Sequence, residues 1–336
     1  MTKRITLRDI ADDLGVTVST ASLALRGHPR ISAETTQKVE QAARRMGYIY
    51  NRAAANLRQT RSNLIAVCLA DLSNPMFNEF LVHIEDALNR HHRQVFLGIA
   101  REDAGLQRQF LKTALEQGVG GILLCPVHGT RADDLSGLMR SDGSGPVVPT
   151  VLFSRALEDV PLPQVVNDDL RAGRLAAECL IVRGHHHIVW VGGGQETSTA
   201  RDRLAGCRAA LADAGLPPPC VLHGPTSRRF GHEAVHAVRE WPDPPSGMVC
   251  FSDLIAFGAI TACHDLGLVP GRDLSIVGCD DMEEAGLSFP RLTTVAVDKG
   301  SIGRAASHSL LYPPSGGGVT CLPPRLILRE TVGPVA

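Results

Sequence analysis

Two sets of residues have types and spacings suited to chemistry. The first opens the chain. In the run TLRDIADDLGVTVSTASLAL, from Thr6 to Leu25, small polar residues (Ser19, Thr20 and Ser22) alternate with Val18, Ala21 and Leu25, and small side chains let a helix come close to a surface. Residues 1–61 hold eleven Lys or Arg and five Asp or Glu, a charge of +6, whereas the whole chain is −1. The remainder therefore carries −7, and a basic module on an acidic body points to phosphate contact by that module alone. The second set is acidic: Asp253 ends the apolar run GMVCFSD, and Asp280 follows the apolar run SIVGC. Carboxylates at strand ends suit a ligand rich in hydroxyls, which donate to them.

Signatures of catalysis and cofactor binding are missing. No Ser–His–Asp nucleophile elbow occurs. Gly192–Gly194 lacks the GxGxxG register and an acidic ribose partner. His185–His187 would alternate direction on a strand, and Asp280, Asp281, Glu283 and Glu284 read as a solvated acidic turn, so neither group is expected to hold a metal. We expect neither an enzyme nor a cofactor.

The elements that position the first set are short helices. Thr6 can cap one, with Asp9 completing a capping box and Ile10, Ala11 and Leu14 forming its apolar stripe. Gly15 stops it. Thr17 caps a second helix, and Ser32 a third that buries Val39, Ala42, Ala43 and Met46 before Gly47. This is a helix-turn-helix over a supporting helix, with the second helix in the major groove of DNA. The strip Tyr50–Arg61 is too poor in apolar residues to fold alone, and a helix through Ala53–Ala55 and Leu57 needs a partner.

From Asn63 onward apolar strands alternate with helices, in two successive series, with the second starting after Val165–Val166. Continuous apolar strands between helices predict parallel sheets covered on both faces. Ligands in such folds sit beyond the carboxyl ends of the strands. The chain is long enough, at 336 residues, for one headpiece and two further domains. No apolar run approaches the roughly 20 residues that span a bilayer, and no signal pattern opens the chain, so a cytoplasmic protein is expected. The nine cysteines are scattered without a CxxC pair and read as free, mostly buried thiols.

The run ITLRDIADDLGVTVSTASLALRG, then ISAETTQKVEQAARRMGYIYNRAAANLRQTRSNLIAV, resembles the headpiece and hinge of the LacI/GalR family of bacterial transcriptional regulators. The likeness continues through GVGGILL, RDRLAGCRAAL, FSDLIAFGAITACHDLGL and SIVGCDD to LTTV, and so covers essentially the full length. It implies an α/β fold with an N-terminal helix-turn-helix headpiece (1–49), a hinge (50–61) and a two-lobed periplasmic-binding-protein-like core of two parallel-sheet subdomains (62–336). Its lobes would be roughly 62–160 plus 292–336, and 161–291, with crossings near Ser154–Val165, near Cys279–Leu287 and after Leu292–Val297. Helix Ser301–Leu311 would return to the first lobe, and Pro313–Gly318 would be a surface loop. The family implies a homodimer on double-stranded, pseudopalindromic operator DNA, most simply repressing carbohydrate-utilisation genes under control of a small sugar-like effector. The alternatives are a purine or phosphate effector, or a small-molecule binder with vestigial DNA binding.

By match to the family, DNA contact falls to Thr6, Leu7, Thr17, Val18, Ser19, Ser22, Leu23, Arg26, Arg30, Ser32 and Thr35, and in the hinge to Asn51, Ala54, Leu57 and Arg58. Leu57 matches a leucine that wedges into the minor groove. Effector contact falls to Met76, Phe77, Ser154, Asp168, Arg203, Asp253 and Asp280. The plainer readings are that Arg203 pairs with adjacent Asp202 or a Glu, and that Asp280 caps a turn. Two departures matter. Leu23 stands where the recognition helix often has Arg or His, which leaves reading to Val18, Ser19, Ser22, a thymine methyl at Leu23, or DNA shape. Ser154 replaces a common Asp. The Leu23 change and the small residues around it resemble regulators of maltose-type carbohydrate genes.

Overall fold

The computed structural model describes residues 5–25, 27–48, 62–194, 197–314 and 316–335. The chain forms two compact units, divided between Arg61 and Ser62.

The first unit is three helices whose ends are set by local chemistry. Helix α1 (Leu7–Leu14) starts at Thr6, which accepts from the Asp9 N–H while the Asp9 carboxylate accepts from the Thr6 N–H, and it stops at Gly15 with φ 65°. Helix α2 (Val18–Ala24) is capped by Thr17, and α3 (Ala33–Met46) by Ser32, with Gly47 at φ 69° ending it. Ile10, Ala11, Ala21, Ala24, Val39, Ala42 and Ala43 close a small core. Val18, expected with the apolar side of the second helix, is 45% exposed, and Ala24 takes the buried place.

The second unit holds two sheets. The first runs in the order β11-β5-β4-β3-β1-β2, from β1 (Leu64–Leu69), β2 (Gln94–Ile99), β3 (Gly121–Leu124), β4 (Thr150–Ser154), β5 (Pro163–Asn167) and β11 (Gly318–Leu322), all parallel. The second runs β12-β10-β9-β8-β6-β7, from β6 (Ile188–Val191), β7 (Cys220–Leu222), β8 (Gly247–Cys250), β9 (Ser275–Asp280), β10 (Thr293–Ala296) and β12 (Arg325–Ile327). Only β12 is antiparallel to its neighbour among these described strands. Central strands are buried along their whole length, as β9 is, because helices cover both faces. Helices α4 (Pro75–Asn89) and α10 (Lys299–Leu311) pack together on the first lobe. On the second, α6 (Asp169–Ile181) packs on α7 (Ser198–Asp213), and α8 (Arg228–Arg239) on α9 (Asp253–Asp265).

The lobe boundaries differ from the sequence expectation. β5 completes the first sheet, so the chain crosses after Asn167 rather than near residue 160. No crossing occurs near Cys279–Leu287, because β9 and β10 are neighbours in one sheet. The return follows Val297, and a third crossing falls between Leu322 and Arg325, which puts β10 and β12 in the second sheet. A strand's own residues specify its burial, whereas its sheet is chosen by neighbours far along the chain. Between β3 and β4, Ala132–Leu138 forms a 3₁₀ segment. Seven cysteines are buried, and Cys220 and Cys321 are exposed.

Candidate functional site

The headpiece presents α2 outward. Thr17, Val18 and Ser19 are exposed and Ser22 and Leu23 half-buried, so one face of the helix is available to a groove. Thr17 Oγ1 accepts from the Thr20 N–H at 3.0 Å and Ser32 Oγ from the Thr35 N–H at 3.2 Å. Thr6, Thr17, Ser32 and Thr35 thus hold helix starts, where N–H groups gather to meet phosphate. Leu7 packs into the small core, and Arg30 is exposed. Arg26, Asn51, Ala54, Leu57 and Arg58 lie outside the described residues.

Between the lobes lies a cavity of about 310 Å³, at the carboxyl ends of strands from both sheets. Met76, Phe77, Ser154, Arg203 and Asp280 line it, as expected from sequence. Arg203 is buried. Its Nε donates to Asp169 Oδ1 at 2.8 Å, and its Nη1 to the Phe251 carbonyl at 2.8 Å and Asp280 Oδ1 at 3.2 Å. Its guanidinium lies 5.2 Å from the centre of the Phe251 ring. The plainer pairing with Asp202 is not found; Asp202 accepts from Arg201 instead. Opposite, Arg155 donates both terminal nitrogens to Glu102, at 2.9 and 2.7 Å, and lies 5.8 Å from the Phe77 ring centre.

Asp280 adopts φ 124° and Asp281 φ 48°, a left-handed stretch that costs on the order of 1–3 kcal/mol per residue and is held from outside. The clamp is Lys299, whose Nζ donates to the Asp280 and Asp281 carbonyls at 2.6 and 3.0 Å and pairs with Glu79 at 3.0 Å. Burial pushes the Asp280 carboxyl up to about 6, against the opposing pull of Arg203 and Lys299.

Two sequence expectations shift by one residue. Asp168 caps α6, accepting from the Arg171 N–H at 2.9 Å, and the neighbouring Asp169 lines the cavity. Asp253 is fully buried behind the cavity wall, accepting from the Met282 N–H at 2.9 Å and Thr294 Oγ1 at 2.6 Å, and Ser252 takes the lining place. Burial, with the Asp280 charge second, raises the Asp253 carboxyl to about 7. A helix turns about 100° per residue, so a one-residue shift at a helix start exchanges wall for lining.

Three buried polar atoms of the lining have no hydrogen-bond partner: Asn167 Oδ1, Thr199 Oγ1 and Ser252 Oγ. Asn167 Nδ2 donates to Asp169 at 3.0 Å, which fixes the amide so that Oδ1 is the free end. Unsatisfied buried polar atoms cost about 1–3 kcal/mol each, so their grouping in one cavity marks it as built for a ligand. None of the three was found from sequence, nor were Glu102, Arg155 and Asp169. Their shared signal is position, at or just past the carboxyl end of a strand or in the first turn of the next helix.

Residues 6–51 match the model of bacterial regulatory proteins of the lacI family, and residues 177–332 that of a periplasmic binding protein-like domain. The maltose regulon regulatory protein MalI of Escherichia coli K12 is 35% identical over 87% of this chain and 83% of its own length. The chain belongs to the LacI family. This LacI-family regulator is also 30% identical to the transcriptional repressor CytR of the same organism, over 91% of this chain and 89% of CytR. The lac repressor dimer bound to operator and the anti-inducer ONPF has the same fold, with a TM-score of 0.86 at 26% identity, over 99% of this chain and 100% of that one. The family is one of DNA-binding regulators, not enzymes. No helix among the described residues is long and apolar enough to cross a membrane.

Proposed function

We propose that this regulator represses carbohydrate-utilisation genes from the cytoplasm. It binds a pseudopalindromic operator as a homodimer and changes operator affinity when a small sugar-type effector fills the interlobe cavity. The observation that carries the effector half is the set of three unpartnered buried polar atoms, Asn167 Oδ1, Thr199 Oγ1 and Ser252 Oγ, in a cavity also lined by Phe77 and Phe251. Hydroxyl groups satisfy such atoms, and the apolar face of a sugar ring packs on an aromatic ring. The name of MalI, a maltose regulon regulator, supports the same class. For the DNA half, the outward face of α2 reads the major groove through Val18, Ser19, Ser22 and Leu23, with Arg26 and Arg30 at phosphates. Residues 50–61 serve as the hinge, with Asn51, Ala54 and Arg58 at the backbone and Leu57 wedged into the minor groove.

Operator binding by fluorescence anisotropy at fixed salt, with DNA from the neighbouring promoter, tests both halves. A sugar is expected to shift the binding curve, and Leu57→Ala to weaken specific binding about tenfold or more while the dimer persists. Unchanged operator affinity in that variant removes the hinge assignment.

A further inference from the structure

The charge balance of the cavity narrows its ligand. Among the described lining residues, four carboxylates (Asp71, Glu102, Asp169 and Asp280) face two guanidinium groups, Arg155 and Arg203, with no Lys or His. Both guanidinium groups already serve carboxylates: Arg155 matches Glu102 with both terminal nitrogens, and Arg203 is held by Asp169, Asp280 and the Phe251 carbonyl through Nε and Nη1. The nearby Lys299 spends its ammonium on two carbonyls and Glu79.

The helix starts at the cavity already carry acceptors of their own. Asn74 caps α4 and Ser227 caps α8, each accepting a first-turn N–H, and Thr197 caps α7. Helix α9 lacks such a cap bond at Ser252 but begins with Asp253, a carboxyl in its first turn. The oxygens of a phosphate only accept; the hydroxyls of Thr199 and Ser252 can each donate to them, but both guanidinium groups of the lining are already paired with carboxylates. The unpartnered Asn167 Oδ1 likewise only accepts, so it requires a hydroxyl or ammonium donor from the ligand. The Asp280 carboxyl, raised by burial, fits a lining with more carboxylates than guanidinium groups.

We propose that the cavity takes an unphosphorylated sugar or amino sugar and rejects the phosphorylated form of the same compound, an inference that rests on reading the cavity as the effector site. Phosphorylation adds one to two negative charges to a cavity with two unbalanced carboxylates and supplies no donor to Asn167.

The test is calorimetric titration of the full chain with matched pairs: glucose, galactose, ribose, glucosamine and trehalose, each beside its monophosphate. The expected result is that a free member binds and its phosphate binds about a hundredfold more weakly or not at all. Glu102→Gln frees the Arg155 fork and is expected to narrow that gap about tenfold; an unchanged gap counts against the charge account. A phosphate member that binds as well as its free partner overturns the inference and leaves sugar sensing in place. Binding of a nucleobase, or of nothing in the panel, overturns the sugar reading itself and this inference with it.

Discussion

The two lobes bring the same parts to the cavity in different balance. Each sets a guanidinium beside a ring: Arg155 by Phe77 in the first lobe, Arg203 by Phe251 in the second. In the first, Glu102 matches the guanidinium on two nitrogens, and the other lining carboxylate, Asp71, is half-exposed. In the second, Asp169 and Asp280 share one arginine, and Asp253 stands behind them without contact to a cation. The spare carboxylate of the first wall meets solvent, whereas the second wall holds its surplus acid in a dry place. Sensitivity to ligand charge and to pH therefore belongs to the second lobe.

The comparison breaks most sharply at the arginines. Removing one partner of a buried pair leaves the other charge uncompensated, which costs about 3–5 kcal/mol. Arg203→Met strands two carboxylates and is expected to reach that range in urea unfolding, with effector response lost. Arg155→Met strands Glu102, which is partly solvated, and should cost less. A larger loss for Arg155→Met would erase the distinction between the walls.

Titration is expected to give the next largest effect. Asp253 and Asp280 have folded values of about 7 and about 6, above the ordinary value of about 3.9. The folded chain keeps protons there that the unfolded chain has already released. Their stabilising contribution is therefore complete below about pH 4, is lost as pH rises to about 7, and stays lost above, a change of a few kcal/mol. Asp253→Asn should flatten part of that slope in a pH series of unfolding midpoints. A slope that survives Asp253→Asn unchanged moves the proton store elsewhere.

The smallest effect has the most telling sign. Thr199→Val replaces an unpartnered buried hydroxyl by a methyl of similar shape and is expected to stabilise the empty protein by about 1 kcal/mol while weakening the effector about tenfold. Destabilisation of the empty protein would mean the hydroxyl already has a partner.

Much of this was legible in the sequence where the cause is local. Thr6, Asp9, Gly15, Thr17, Ser32 and Gly47 mark helix ends because capping acts within four residues. Strands such as β1 and β9 read as unbroken apolar runs. What escaped depends on distant partners. β11 is largely exposed and carries no burial signature, and β10 joins the second sheet by pairing with β9, and β12 by pairing with β10. In the site, Arg203 reaches Asp169 because α6 and α7 nearly touch: a Cβ on Gly173 would stand 1.7 Å from the Arg203 carbonyl, and one on Gly206 1.9 Å from that of Leu170. Two glycines thirty-three positions apart do not announce that contact. Family resemblance placed Asp168 and Asp253 within one residue of the lining, and the turn of a helix decided the rest.

The three crossings between the lobes bear on how the protein is made. The first lobe buries Ile302, Ala306 and Leu310 of α10 in its core and takes β11 as an edge strand, while the second needs β10 and β12. On the ribosome the headpiece emerges first with every residue of its own core already present. Neither half of the sensor can close until the final few dozen residues have been translated. A nascent or truncated chain therefore holds a complete headpiece core beside two unfinished lobes.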